Sequence, residues 1–456
     1  MFENIRHIYF LGIGGIGMSA LAKYFHSRGI RISGYDKTPG QITDEMIASG
    51  ISIHFEDNIH LVPNDIDLVV ITPAIPADHM EWQHIRERGI PVKKRAEVLG
   101  MISSDAVCLA IAGTHGKTTT TTMVTHLLRS SGVNCTAFLG GISGNFNTNY
   151  VAGDPKLVVV EADEYDRSFL HLSPSGAIIT SIDADHLDIY GDHSQVTEGY
   201  RQFAEKIKSN GTLVLKSEID PGLNDQYRKR VNIRSYGIDS GKNSSHNVHV
   251  RNGAFVFDYK GEKASISGLE LSVPGRHNVE NATAAITLAL EFGATTEGIK
   301  EGIGNFKGVH RRFEYVLKTD SHVVIDDYAH HPEELKAAIS AARELYPDKT
   351  ITGIFQPHLF SRTRDFADQF ARSLEMLDVV ILLDIYPARE LPIEGVSSSM
   401  LLSKINCHSK HLCAKQDLVA LIEQQNPEVT LMMGAGDIDR LVKPVANAMK
   451  EKGGRS

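Results

Sequence analysis

Residues 111–123 read IAGTHGKTTTTTM, a turn broken by Gly113 and Gly116 that carries Lys117 and Thr118 between a strand-like stretch at Val107–Ala112 and a helical one. Such a turn presents backbone N–H groups and a helix N-terminus to phosphates, brings a lysine to the β/γ oxygens and offers a hydroxyl to Mg²⁺. Gly113, Thr114, His115, Gly116, Lys117, Thr118 and Thr119 are thus candidates for binding a nucleoside triphosphate, with ATP the expected ligand. The loop is shorter than the G-x-x-x-x-G-K-[ST] form, because Ile111 stands where that form has glycine. The run Thr118–Thr122 opens the helix although β-branched residues are poor helix formers. A threonine-rich helix start without a ligand is the plain alternative.

Carboxylates follow at two further strand ends. The apolar stretch Leu157–Val160 leads into Glu161-Ala162-Asp163-Glu164, and Glu161, the first side chain off the strand, is placed to hold Mg²⁺. Asp163 and Glu164 read equally well as solvated. The strand Ala177–Ser181 leads into Asp183, Asp185, His186 and Asp188, and His186 is a candidate ligand of a second divalent ion. Zinc is disfavoured, since no cysteine or histidine lies at metal spacing from it. Asn278 and Asn281 stand three apart ahead of an alanine-rich helix, so they share a face and could cap that helix or read a base edge.

Upstream, Gly12-Ile13-Gly14-Gly15-Ile16-Gly17 follows a short strand and opens a helix, and Asp36 ends the next strand. The glycines allow close backbone approach to a diphosphate, and an acid at the second strand end accepts from a ribose or sugar hydroxyl. NAD and a nucleotide sugar satisfy this pattern equally.

The elements that must position these residues alternate strand and helix. In the first segment strands fall at His7–Leu11, Ile30–Tyr35, Leu68–Thr72 and Pro91–Lys93, with a helix at Met18–Ser27, which predicts a parallel doubly wound sheet. A second segment restarts at Ala106 and closes with a helix at Val279–Phe292. Val248–Val273 reads as an inserted pair of hairpins, with turns at Asn252-Gly253 and Lys260-Gly261. The third segment starts near Val309, with strands at His322–Ile325, Thr350–Phe355, Val379–Leu383 and Val429–Met433.

At 456 residues the chain is long enough for about three domains. Its net charge of -9 disfavours nonspecific binding to nucleic acid or acidic membranes, so anionic ligands must be held by local groups. Four cysteines without a C-x-x-C pair fit a reducing cytoplasm, and no stretch approaches the ~20 apolar residues of a membrane span.

Together, GIGGIGMSALA, AGTHGKTTTT, EADEYD, DADHLDIYG, GRHNVENA, HRRFE, DDYAHHP and QPHLFSRTRDF occur in an order that resembles the Mur ligases, from about His7 to Gly436. GIGGIGM is similar to the alanine-adding branch. The resemblance implies an α/β chain of three domains: a Rossmann-like UDP-sugar domain (1–104), a central P-loop ATPase domain (105–308) and a Rossmann-like C-terminal domain for the amino acid (309–456). It implies ATP- and Mg²⁺-dependent joining of L-alanine to UDP-N-acetylmuramate in peptidoglycan precursor synthesis, with two metal ions, by a cytoplasmic monomer or weak homodimer. A murein peptide ligase of the same superfamily and an NAD-dependent oxidoreductase are the alternatives.

Residue roles follow from the resemblance. Gly12, Gly14, Gly15, Ile16, Gly17, Asp36, Thr72 and Ala74 fall on the UDP-sugar side; Thr118, Glu161 and His186 resemble metal ligands. Lys117 is similar to the β/γ-phosphate lysine, and Asn278 and Asn281 to the pair facing adenine. Arg312 and Asp327 resemble groups that complete the ATP site. Tyr328, His330, His358 and Arg362 are similar to residues near the sugar carboxylate and the incoming alanine, with His358 or His330 a candidate base. Some relatives carry arginine where this chain has Leu359.

Overall fold

The computed structural model describes residue 2 and residues 4–183, 193–388 and 390–453. Two compact units emerge: residues 1–246, 258–269 and 280–307 form the first, and 247–257, 270–279 and 308–456 the second.

The N-terminal sheet holds β1 (His7–Leu11), β2 (Arg31–Tyr35), β3 (Ser52–His54), β4 (Leu68–Ile71) and β5 (Val92–Lys94) in the order β3-β2-β1-β4-β5. Every pairing in it is parallel. A parallel sheet covered on both faces needs unbroken apolar strands, and Ile8–Leu11 is fully buried accordingly. α1 (Ile16–His26) starts at the glycine turn that leaves β1.

The central sheet holds β6 (Val107–Ala112), β7 (Thr136–Phe138), β8 (Tyr150–Val151), β9 (Leu157–Glu161), β10 (Gly176–Ile179), β11 (Thr212–Lys216), β12 (Asn232–Ile238), β13 (Asn243–Arg251), β14 (Ala254–Lys260) and β15 (Ser265–Leu271). Their order is β15-β14-β13-β12-β11-β10-β6-β9-β7-β8. The stretch expected as an insertion is therefore a continuation of this sheet. Its first turn falls at Asn252 and Gly253, both with positive φ as a two-residue hairpin connection requires.

The phosphate-loop helix, Lys117–Ser130, reconciles its threonine run with helical geometry through local hydrogen bonds. Thr121 Oγ1 donates to Lys117 O, Thr122 Oγ1 to Thr118 O and Thr125 Oγ1 to Thr121 O, each at 2.8 Å. These three hydroxyls are thus satisfied within the helix, whereas the buried Thr120 Oγ1 has no hydrogen-bond partner among the described residues.

In the first unit the two sheets share one core. The ring of Tyr24 on α1 lies 5.3 Å from Phe138 and 6.1 Å from Tyr150. Beside it, the fully buried Asn149 donates through Nδ2 to Ile16 O (2.6 Å) and Ser19 Oγ (2.8 Å), and its Oδ1 accepts from Lys23 Nζ (3.1 Å). One amide thereby ties the first turn of α1 to the strand next to β7.

The second unit is built on β16 (Glu314–Lys318), β17 (Val323–Asp327), β18 (Ile351–Phe355), β19 (Val379–Leu382), β20 (Ser409–Leu412) and β21 (Val429–Met433), ordered β16-β17-β21-β18-β19-β20. Only β16 runs antiparallel in it. The helix expected to start at Val279 begins at Arg276, so Asn278 sits in its first turn. Among the described residues no helix is long and apolar enough to cross a membrane.

Candidate active site

The phosphate loop joins β6 to its helix and is shaped by two obligatory glycines. Gly113 has φ +135, and a Cβ there would lie 1.9 Å from Thr180 Oγ1. Gly116 has φ +79, and its Cβ would meet Asn281 Oδ1 at 2.7 Å. Both positions combine a left-handed backbone with a wall that leaves no room for a side chain. The end of β10 forms the wall beside Gly113, and Asn281 the one beside Gly116: Thr114 N–H donates to Ser181 O (3.2 Å), His115 N–H to Ser181 Oγ (2.9 Å) and Thr114 Oγ1 to Asp183 O (2.9 Å). Asn281 thus reaches the loop, whereas Asn278 Nδ2 donates to Pro274 O at 2.6 Å.

Lys117 Nζ donates to Gly113 O (2.7 Å), Thr114 O (3.1 Å) and Glu164 Oε1 (2.9 Å). Burial disfavours its charge, but Glu164, then Glu161 and Asp163, more than offset this and raise its pKa. Burial, with Asp163 adding to it and Lys117 opposing, raises that of Glu164. The solvated reading is corrected for Glu164, which is buried beneath Lys117; the side chain of Asp163 stays 36% exposed while accepting from Arg95 Nη2 at 3.2 Å and from Tyr165 N–H at 3.1 Å. Tertiary packing folds the acidic turn inward, which local polarity does not report.

Glu161 is the last residue of β9 and pairs in register with Ile111 of β6, so its carboxylate leaves the same sheet edge as the phosphate loop. It packs on Gly140, where a Cβ would lie 2.1 Å from Glu161 Oε2. Thr118 and Glu161 are oxygen donors of the kind Mg²⁺ takes when phosphate and water complete its shell. His186 lies outside the described residues.

At the glycine turn after β1, Gly12 has φ +84, and a Cβ there would overlap Thr72 Cγ2 at 2.4 Å. Asp36 Oδ2 accepts from Gly14 N–H at 2.7 Å, and Asp36 Oδ1 from Thr38 N–H at 3.2 Å. The acid expected to meet a sugar hydroxyl therefore braces the glycine turn. Ala74 is exposed in the loop after β4. A cleft of about 260 Å³ is lined by Gly15, Ile16, Gly17 and Thr72 together with Glu161 and Asp163.

Arg95 lines that cleft, with Nη1 2.8 Å from the Cβ position of Gly17. Sequence reasoning passed over it. Its signal was available, because Arg95 directly follows β5 at the same C-terminal sheet edge as the glycine turn.

In the second unit, Asp327 accepts from Phe313 N–H (2.8 Å) and Ala329 N–H (2.7 Å), bracing the segment that carries Arg311 and Phe313 at positive φ. Burial raises its pKa to about 6 although Arg312 opposes that. Arg311 and Arg312 lie 5.2 and 5.1 Å from the ring of Tyr328, and Arg312 Nη1 is 3.8 Å from Glu334 Oε1. Tyr328 meets His330 edge-on at 5.2 Å; His330 lies 6.0 Å from His358, which stacks on Tyr386 at 5.7 Å. Tyr386 is a neighbour that sequence reading missed.

Leu359 follows His358 at φ +70, a costly backbone for leucine, held by its N–H on Tyr386 O at 2.9 Å. Arg362 lies in the short helix Phe360–Asp365 that begins there.

Three family descriptions match in succession: the Mur ligase family catalytic domain over residues 7–106, the Mur ligase middle domain over 111–289 and the Mur ligase glutamate ligase domain over 311–436. The chain is 48% identical over 454 residues to the UDP-N-acetylmuramate–L-alanine ligase of Flavobacterium psychrophilum, covering 99% of each. It is 50% identical over 452 residues to the ligase of the same name from Porphyromonas gingivalis, covering 97% of this chain and 98% of that one. The crystal structure of UDP-N-acetylmuramate-alanine ligase from Thermotoga maritima matches with a TM-score of 0.82 at 28% identity, covering 98% of this chain and 99% of that one. A murein peptide ligase from Psychrobacter arcticus, at 22% identity and a TM-score of 0.73 over 97% of this chain and 98% of that one, shares the fold. With all three domain descriptions matched in order and these relatives aligned along nearly its whole length, the chain belongs to the Mur ligase family.

Proposed function

We propose that the protein joins L-alanine to the lactyl carboxylate of UDP-N-acetylmuramate with conversion of ATP to ADP and phosphate. The observation that carries this reading is the cleft from the glycine turn to Glu161, which links a diphosphate site to the edge of a triphosphate loop. A nucleotide sugar bound by the turn would send its far end toward the phosphoryl donor.

The chemistry needs both ends. An amine cannot displace oxide from a carboxylate, so a carboxylate oxygen first attacks the γ-phosphorus and ADP leaves. The alanine nitrogen then attacks the acyl carbon, and the C–O bond to phosphate breaks as the amide forms. Setting a carboxylate beside a triphosphate repels, and Lys117 offsets that charge. Thr118, Glu161 and His186 would hold Mg²⁺, which when bound neutralises the phosphate oxygens. Arg95 is our choice for a cation at the diphosphate end, beside Gly17. Tyr328, His330, His358 and Arg362 form the alanine side, where His330 or His358 takes the proton of the alanine ammonium. The enzyme works in the cytoplasm as a monomer or weak homodimer.

The test is incubation with ATP, Mg²⁺, UDP-N-acetylmuramate and single amino acids. Phosphate release that depends on both the sugar and alanine is expected. Release independent of either would sink the reading, and dependence on a preformed peptide would move the protein to the murein peptide ligases.

A further inference from the structure

The phosphate loop already holds an anion of its own. An ammonium has three N–H donors, and those of Lys117 have three acceptors: the carbonyls of Gly113 and Thr114 and the carboxylate of Glu164. A phosphate oxygen can gain this lysine only by taking the place of one of them. The carbonyls belong to the loop backbone, whereas Glu164, on the turn after β9, contributes a side chain.

Burial makes the pair an unusual choice. Glu164 is 4% exposed, and a buried ion pair adds little stability over apolar packing. Its carboxylate also lies on the same short turn as Asp163 and Glu161, where a third negative charge works against holding a triphosphate.

We infer that Glu164 is a resident counter-anion of the phosphate loop, holding Lys117 in place in the absence of nucleotide and yielding it to the phosphates on binding. Nucleotide affinity is then the difference between two charge-assisted interactions, not the full value of one. Glu164 thereby weakens nucleotide binding and speeds departure of ADP. This inference rests on the ATP reading above and adds a residue that sets its affinity.

Glu164→Gln keeps the shape and the acceptor but removes the charge. Calorimetric titration with Mg²⁺·ADP and with Mg²⁺·ATP, without sugar or alanine, should give Kd values about tenfold lower than for the unsubstituted protein. Lost packing alone would not tighten binding. In a Lys117→Met background the same substitution should change Kd by less than about twofold, because the competition runs through Lys117. Weaker or unchanged nucleotide binding in Glu164→Gln would overturn the inference, and weaker binding would make Glu164 a metal ligand instead. Should that variant fail to fold, Glu164→Asp, one methylene shorter, must shift Kd in the same direction. Failure of the unsubstituted protein to bind nucleotide would sink the ATP reading itself.

Discussion

The first unit contains two glycine turns that leave parallel strands at the same kind of sheet edge, and they manage negative charge in opposite ways. At Gly12–Gly17 the internal carboxylate, Asp36, accepts from the backbone of Gly14 and leaves the helix start open to the cleft. At Gly113–Lys117 the internal carboxylate, Glu164, takes the lysine. On the proposed function the first turn would position an anion through N–H groups and a helix end, and the second would add a lysine that a carboxylate holds until phosphate arrives. A substrate that is only held needs the first. A phosphoryl group in transfer needs the second.

Lys117→Ala should separate the two turns most sharply. Phosphate release dependent on sugar and alanine is expected to fall at least ~10²–10³-fold, while calorimetric affinity for UDP-N-acetylmuramate stays within about twofold. Loss of sugar binding would show that the turns are not independent. Next come the glycines. Gly113→Ala forces a Cβ onto Thr180 and should weaken Mg²⁺·ATP binding about tenfold to a hundredfold, with sugar binding kept. Gly12→Ala, which meets Thr72, should do the reverse, and the two titrations run side by side test the comparison directly.

The smallest effect concerns the strands that deliver the turns. β6 opens on the exposed Val107, whereas β1 opens on the buried His7, whose pKa is lowered from 6.5 to about 4 by burial and then by Arg31, with Asp67 opposing. The folded chain thus refuses a proton that the unfolded chain accepts below pH 6.5. Its contribution to stability is whole above that pH and is lost as pH falls toward 4. Thermal unfolding of His7→Asn at pH 7 and pH 4.5 should show a smaller acid-induced drop in midpoint than the unsubstituted protein, by roughly a few degrees.

What the sequence revealed followed the range of the forces involved. Val107–Ala112 and Val429–Met433 are continuous apolar runs bounded by turn residues, and the structure places strands over those same residues. Gly113, Gly116 and Gly12 were legible because a left-handed turn between strand and helix is a local demand. The edge strands β16 and β20 were not, since each is short and half-exposed and is made a strand by its partner. Asn149, Tyr386 and the burial of Glu164 depend on contacts distant in sequence, such as that between Asn149 and Ile16, 133 positions apart.

Asn149 has a mechanical meaning for substrate choice. By pinning the opening turn of α1 to the strand beside β7, it would fix the span from the glycine turn to Glu161, and on the proposed function the cleft would act as a ruler laid against the nucleotide sugar. An analogue with one extra methylene before its carboxylate should bind about as well yet release phosphate about tenfold more slowly or worse, because its reactive oxygen overshoots the mark. Selection of the carboxylate would then depend on reach, gauged by a strut that solvent never touches.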